Sequence, residues 1–223
     1  GVDVIGVAKE TIIELGRRTN IGFDQIIFIE KEKKSSYPIT IFNSDGGEIS
    51  ACGNGSRCVA YLLSKILNTN EIKLQTNNRI LNAKIIKNFH VELEMGKPLF
   101  SHEEIPLSKS INSGNITLDI NNKIFTNGFS VNVGNPHIVF FVNNIEDFNL
   151  EKIGPEIEND KLFPEKCNVT FARIINENQI KVKVWERGAG LTKACGTAAC
   201  ATAYAAKING KIKNTTERSE EHT

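Results

Sequence analysis

Two cysteine loops with the same local sequence, Ala51-Cys52-Gly53-Asn54-Gly55 and Ala194-Cys195-Gly196-Thr197-Ala198, stand 143 positions apart in this chain. The same offset carries Gln25 to Asn168, Phe28 to Phe171, Phe42 to Trp185, Asn43 to Glu186, Gly47 to Gly190, Ala60 to Ala203 and Tyr61 to Tyr204 without a gap. Any two strand-loop-helix units share some apolar and glycine positions, so a single match such as Ala60 carries no weight. A register held from before a strand, through a glycine-rich loop and into the next helix is what duplicated architecture produces. The chain is expected to fold as two related halves with equivalent thiols at a site built between them.

Composition fits a duplicated soluble enzyme. A chain of 223 residues can form two domains, each with its own core. Apolar content of 40% and a formal net charge of +1 carry neither a nucleic-acid footprint nor a disordered-chain signature. The longest strongly apolar run, His137 to Val142 with its neighbours, is far short of a membrane span, and the start does not resemble a signal peptide. A cytoplasmic protein acting on a small molecule is expected, with no nucleic-acid or membrane partner.

Five cysteines are an odd number for a disulfide framework, and reduced thiols are expected. Zinc is not expected either. Cys52 and Cys58 are six apart and Cys195 and Cys200 five apart, whereas structural zinc pairs are usually tighter, and each second cysteine falls within a predicted helix. Cys58, Cys167 and Cys200 read as buried small apolar residues.

The first helix is expected over Val7 to Arg18. Strands follow at Gln25 to Ile29 and Pro38 to Asn43. After Cys52, Val59, Leu62, Leu63 and Ile66 fall at helical spacing and predict a helix that buries a broad face. Strands are predicted at Glu71 to Gln75, Arg79 to Ile86 and His90 to Met95. Between Gly96 and Asn115 the periodicity fades into prolines and serines and reads as an inter-domain connection. The second half predicts strands at Ile116 to Ile120, Lys123 to Val133, His137 to Val142, Asn168 to Ile174 and Gln179 to Trp185, with a helix over Leu150 to Glu158. The helix from Thr197 to Ile208 is small and apolar on nearly every side, which places it at the centre of a wrapped sheet. The fold class is α+β, with two pseudo-symmetric domains. Each is a mostly antiparallel curved sheet around a central apolar helix, with the active site in the cleft between them.

Each paired cysteine precedes a helix at a glycine-containing turn. Exposed N–H groups and the positive helix end there stabilise a thiolate and lower its pKa. The same groups bind a carboxylate, so Gly53, Asn54, Gly196 and Thr197 are candidates to hold that of an amino acid. Two cysteines on opposite sides of its α-carbon can invert the centre, one as thiolate removing the proton and one as thiol delivering another. No cofactor is expected, because the chain has no G-x-G-x-x-G after a strand, no P-loop and no lysine placed for a pyridoxal Schiff base.

The strings Phe23-Asp24-Gln25, Ile41-Phe42-Asn43-Ser44-Asp45-Gly46, Ala51-Cys52-Gly53-Asn54-Gly55-Ser56-Arg57-Cys58, Gly134-Asn135-Pro136-His137 and Glu186-Arg187-Gly188-Ala189-Gly190, leading to Ala194-Cys195-Gly196-Thr197, resemble those of the diaminopimelate epimerase family in order and spacing. The resemblance implies that Cys52 and Cys195 are the acid–base pair, supported by His137 and Glu186. It also implies that Gln25, Asn43, Asn135, Asn168, Glu186 and Arg187 bind a substrate with a second carboxylate and amine. Arg187 suits that carboxylate through its forked donors, and Glu186 can meet the amine. Blander readings stand beside these: Asn43 and Asn135 as turn residues, His137 as a core residue opening a strand, Glu186 and Arg187 as a solvated strand end. The repeat favours the functional reading for Asn43 and Glu186, each nine residues before its cysteine.

The implied activity is inversion of LL-2,6-diaminopimelate to the meso form, for lysine and peptidoglycan precursors, by an isomerase without metal or cofactor. The resemblance also leaves room for a homodimer. Alternatives are a racemase of the same fold acting on proline, hydroxyproline or histidine, and a non-catalytic redox thiol pair. The sequence departs from the family at Ala198, where many relatives carry glycine. It also departs at its ends. The first-half counterpart of Gly134-Asn135-Pro136-His137 would precede residue 1, and the second half lacks closing strands. The expected organisation is an N-terminal half over 1–110 without its first strand, a C-terminal half over 111–215, and a tail over 216–223 that reads as non-native. Such a truncated chain is expected to lose stability or activity.

Overall fold

The computed structural model describes residues 7–49, 52–77 and 79–213, and the backbone of 217–220. The chain divides between Gly96 and Lys97 into two compact units. The segment read as an inter-domain connection belongs to the second. Ile105 and Leu107 are buried in its core, and Leu99 exchanges backbone hydrogen bonds with Asn132. Prolines and serines there break periodicity without preventing two apolar side chains from anchoring the stretch.

The first unit contains helix α1 (Lys9–Gly16), strands β1 (Gln25–Ile29), β2 (Tyr37–Asn43) and β3 (Glu48–Ile49), helix α2 (Gly53–Leu67), and strands β4 (Glu71–Gln75), β5 (Ile80–Lys87) and β6 (His90–Leu93). Its sheet runs β1-β2-β4-β5-β6, with β3 paired to β2. The alternation in Ile72, Leu74, Leu81, Ala83 and Ile85 buries one face, where Val59, Ala60 and Leu63 of α2 join them in the core. Each such side chain contributes about 1.5–3 kcal/mol when fully buried. The predicted broad face of α2 is narrower than its periodicity suggests. Leu62 is 51% exposed and Ile66 68%, and Cys58 is exposed rather than buried. The described sheet covers only one stripe of the helix.

The second unit contains β7 (Ile116–Ile120), β8 (Lys123–Asn132), β9 (Pro136–Phe141), α3 (Leu150–Glu158), β10 (Asn168–Asn176), β11 (Gln179–Glu186), β12 (Gly190–Thr192), α4 (Gly196–Ile208) and β13 (Glu217–Glu220). Its sheet order is β12-β11-β10-β9-β8-β7, with β13 beside β11. Both faces are covered. Ala172, Val182 and Val184 join Ala198, Ala201, Ala205 and Ala206 of α4 in one core. Val169 and Phe171, with Trp185 packed against them, turn the other way into a core that includes Leu150 and Ile157 of α3.

The 143-residue register survives at the level of strand pairing. Ile26 faces Phe42 and Ile27 faces Ile41 across β1 and β2. Their counterparts Val169 and Thr170 face Trp185 and Val184 across β10 and β11. Ile41 faces Ile49 in the first unit as Val184 faces Thr192 in the second. The two short strands β3 and β12 were not predicted, because two or three residues are too few for periodicity to register. The sequence also offers no element near the end, where 217–220 are polar. Their backbone nevertheless pairs parallel with β11, as β4 pairs parallel with β2. The other terminal residues of the expected tail, 216 and 221–223, lie outside the described residues.

Candidate active site

Each unit builds one half of the predicted constellation, in the same way. Cys52 is the N-cap of α2, in extended conformation, and its Sγ accepts the Gly55 N–H at 3.2 Å. Cys195 is the N-cap of α4, also extended, and its Sγ accepts the Ala198 N–H at 3.4 Å. Gly55 and Ala198 are themselves 143 apart. Both sulfurs thus occupy the position in which Ser, Thr or Asp usually satisfies the first helical amides.

In the first unit, Gln25 Nε2 donates to Asn43 Oδ1 at 3.2 Å across a directly paired position of β1 and β2. Gln25 and Ile27 share a strand face, since side chains two apart point the same way. That face lies under the start of α2. A Cβ at Gly55 would sit 2.4 Å from Ile27 Cδ1 and 3.1 Å from Cys52 Sγ. A methyl at Gly55 would make the end of the Ile27 side chain shift. In the second unit the equivalent pair is Ala198 and Thr170, both fully buried. A smaller side chain on the strand goes with a larger one on the helix, so the departure at Ala198 is accommodated. Asn54 Oδ1 accepts from Arg57 Nη2 at 2.5 Å, an interaction the sequence reading did not foresee.

In the second unit, His137 on β9 is fully buried, and its Nε2 lies 2.9 Å from Asn135 Oδ1. Asn168 Nδ2 donates to the Pro136 carbonyl at 2.9 Å, and Asn168 Oδ1 accepts the Arg187 backbone N–H at 3.0 Å. Asn135, His137, Asn168 and Arg187 thus form one connected group. Burial, with the Arg187 charge nearby, pushes the imidazole pKa down to about 3, so His137 is neutral at pH 7. With Nε2 donating to Asn135, Nδ1 is a buried acceptor without a hydrogen-bond partner among the described residues. The reading of His137 as a core residue that opens a strand holds, since it is fully buried on β9.

Cys195 is 4% exposed and lies 3.3 Å from Thr197 Oγ1. Its thiol pKa is pushed up to about 12, first by burial and then by the nearby Glu186 carboxylate, which outweigh the Thr197 hydroxyl and the Ala198 amide. The expectation that a helix N-terminus lowers this pKa is corrected. The helix contributes an amide, but desolvation and a like charge dominate. Cys52 is half-buried, and all five cysteines are outside disulfides. Glu186 Oε1 accepts from Thr192 Oγ1 at 2.5 Å, so unpredicted β12 supplies the residue that steadies it. Gly53 and Gly196 are the first helical residues after each cysteine. Among the described residues, no helix is long and apolar enough to cross a membrane.

The fold has relatives among solved racemases and epimerases. A hydroxyproline epimerase from Agrobacterium vitis superposes with TM-score 0.62 at 15% identity, covering 88% of this chain and 63% of that one. A protein described as a predicted epimerase from Pseudomonas aeruginosa gives TM-score 0.61 at 15% identity, covering 95% and 76%. A PhzF-family phenazine biosynthesis protein from Bacillus anthracis gives 0.58 at 14% identity, covering 92% and 72%. The architecture is the two-sheet α+β fold of this racemase and epimerase class.

Sequence similarity is more specific. The profile described as Diaminopimelate epimerase matches residues 7–101 and 129–221. A diaminopimelate epimerase of Pelagibacter ubique is 55% identical over 94% of this chain and 77% of that protein. One of Sphingopyxis alaskensis is 42% identical over 89% and 71%. The chain belongs to the diaminopimelate epimerase family, whose members are isomerases.

Proposed function

We propose that this protein inverts one α-carbon of LL-2,6-diaminopimelate to give the meso form, by a two-base mechanism in which Cys52 and Cys195 act from opposite faces. The observation that carries the reading is the equivalence of the two half-sites. Each cysteine caps a helix and accepts the amide three residues on. Two such helix starts, offering Gly53, Asn54, Gly196 and Thr197, suit a shared α-carboxylate and the negative charge that develops as the proton leaves. That this chain is active is part of the same proposal.

The roles are unequal at rest. Cys195, buried beside Glu186, holds its proton and serves as the acid, and Cys52 serves as the base in the first half of the cycle. After inversion the two exchange states. Gln25, Asn43, Asn135 and Asn168 supply neutral donors and acceptors around the substrate. Arg187 takes the distal carboxylate and Glu186 the distal amine. Neutral His137, lodged behind Asn135 and Asn168, adds no charge of its own to that surface. A cytoplasmic location suits the reduced thiols, and assembly as a homodimer belongs to this proposal.

The test is interconversion of LL- and meso-diaminopimelate by the purified chain, run beside proline, hydroxyproline and histidine. Turnover of diaminopimelate alone supports the assignment. Turnover of a cyclic amino acid instead would move the protein to another substrate within the same chemistry.

A further inference from the structure

We propose that Glu158, at the C-terminal end of α3, is a positioning residue that fixes the Glu186-Arg187 pair from behind the sheet and so sets the Glu186 carboxylate against the Cys195 thiol. The inference rests on the two-cysteine reading of the site for its catalytic meaning, though not for its geometry.

A carboxylate at this place needs an explanation. Helix C-termini carry negative partial charge and disfavour acidic side chains, and burial adds a desolvation cost. Glu158 is nonetheless only 5% exposed. Its partners supply the reason. Oε2 accepts from Trp185 Nε1 at 2.7 Å, and Oε1 accepts the Gly188 N–H at 3.2 Å. Lys166 Nζ, at 3.9 Å, adds a weaker cationic neighbour. Trp185 and Gly188 flank Glu186 and Arg187 in sequence, so one carboxylate grips the pair at both ends.

The rest of α3 is shaped for the same grip. Gly154 lies one helical turn before Glu158, and a Cβ there would come within 2.5 Å of Trp185 Cγ. The missing side chain lets the indole lie against the helix with its N–H at the carboxylate. Trp185 and Glu186 are adjacent on β11, so their side chains leave opposite faces of the sheet. Trp185 is packed on the α3 side, whereas Glu186 bears on Cys195 of α4. Locking the tryptophan on one face therefore locks the glutamate on the other. The turn itself accepts little alternative. Gly188 has φ of +74°, and Ala189 N–H bonds back to the Glu186 carbonyl at 3.0 Å. Arg187 is tied by its backbone to Asn168 and by Nη1 to the Glu165 carbonyl at 2.8 Å.

A carboxylate accepts from both donors at once, whereas an amide presents its own N–H₂ to one of them. Glu158→Gln should therefore loosen the turn while preserving side-chain volume. The readout is site-resolved alkylation of the full chain by iodoacetamide at pH 9, followed by mass spectrometry. Below its pKa a thiol reacts through its thiolate fraction, and a drop of about one pH unit at Cys195 gives roughly tenfold more thiolate of somewhat lower nucleophilicity, a net rise of about three- to fourfold. Glu158→Gln is expected to raise Cys195 alkylation by about that factor relative to Cys200 on the same helix. Trp185→Phe, which removes one of the two donors and keeps most of the ring packing, is expected to give a smaller rise in the same direction, and it decides the matter if Glu158→Gln does not fold. Equal acceleration at Cys195 and Cys200 would mean that Glu158 only supports the fold, and an unchanged ratio in both variants overturns the proposal. The measurement needs no turnover. A parent protein that fails to epimerise diaminopimelate refutes the functional reading and leaves this ratio as a separate result.

Discussion

The two half-sites share one backbone plan and differ in what stands behind it. In the first unit β4 and β5 alternate buried and exposed residues, and the described core lies on the α2 side alone. In the second, β10 and β11 are packed by α4 on one face and by α3 on the other. The difference reaches the chemistry. Cys52 is half-buried in the unit whose matched pair, Gln25 and Asn43, is neutral, and Cys195 is buried beside an acidic residue held by Thr192. Duplication gives two thiols the same helix cap, and the second layer buries one of them, Cys195, where desolvation and Glu186 raise its pKa. The lesson is that a repeated backbone gives two cysteines the same local geometry, whereas burial and charge set how differently each holds its proton.

The largest effect expected of that division is loss of inversion. Cys52→Ala or Cys195→Ala should lower interconversion by about 10²–10⁴-fold, the range for removing a positioned acid or base. The comparison adds an asymmetry. Cys195→Ala retains the proposed resting base and should still exchange the α-proton of the LL isomer with solvent. Cys52→Ala should not. Parental interconversion rates in either variant would break the assignment.

A second expected effect is confined to the second unit and concerns acid. His137 in the folded protein has its pKa below the ordinary value of 6.5, at about 3. The unfolded chain therefore binds a proton that the folded chain refuses. Its contribution to stability is complete above pH 6.5 and is lost as pH falls toward 3, by an amount on the order of a few kcal/mol. Thermal unfolding followed from pH 7 to pH 4 should show this decline, and His137→Gln should flatten it. An equal decline in the variant would locate the acid sensitivity elsewhere.

The smallest effect sharpens the comparison at the helix starts. Gly55→Ala should cost about 1–3 kcal/mol, the range for overpacking, because its methyl meets Ile27 Cδ1. Ile27→Val removes that carbon, so the double variant should recover most of the loss in a denaturant titration. Additive losses would show that the crowding at Gly55 has another source.

Much of this was legible in the chain. The 143-residue offset, read from Cys52 and Cys195, located strands, helices and both caps, since repeated side-chain patterns reflect repeated backbone. Asn43 and Glu186 were found as matched neighbours for the same reason. What stayed hidden depends on burial that no local pattern reports. The rise of the Cys195 pKa needed the depth of the core and the closeness of Glu186. Leu62 and Cys58 have the spacing of buried residues but no sheet over them among the described residues. Glu158 left a faint signal, a carboxylate at a helix end that repels it, and its partners Trp185 and Gly188 lie about thirty residues on. Arg57 and Thr192 became legible only once their bonds to Asn54 and Glu186 were visible.

Incorporation of solvent deuterium during a single pass tests the central claim most directly. LL-diaminopimelate is incubated with the protein in deuterium oxide, and product and recovered substrate are separated early and analysed for label at the α-carbons. A thiolate on one face and a thiol on the other predict meso product carrying deuterium at the inverted centre while recovered LL substrate remains unlabelled. Deuterium entering recovered LL substrate as fast as it enters the meso product, or product that keeps the original proton, would mean that one group serves both faces and would contradict the account.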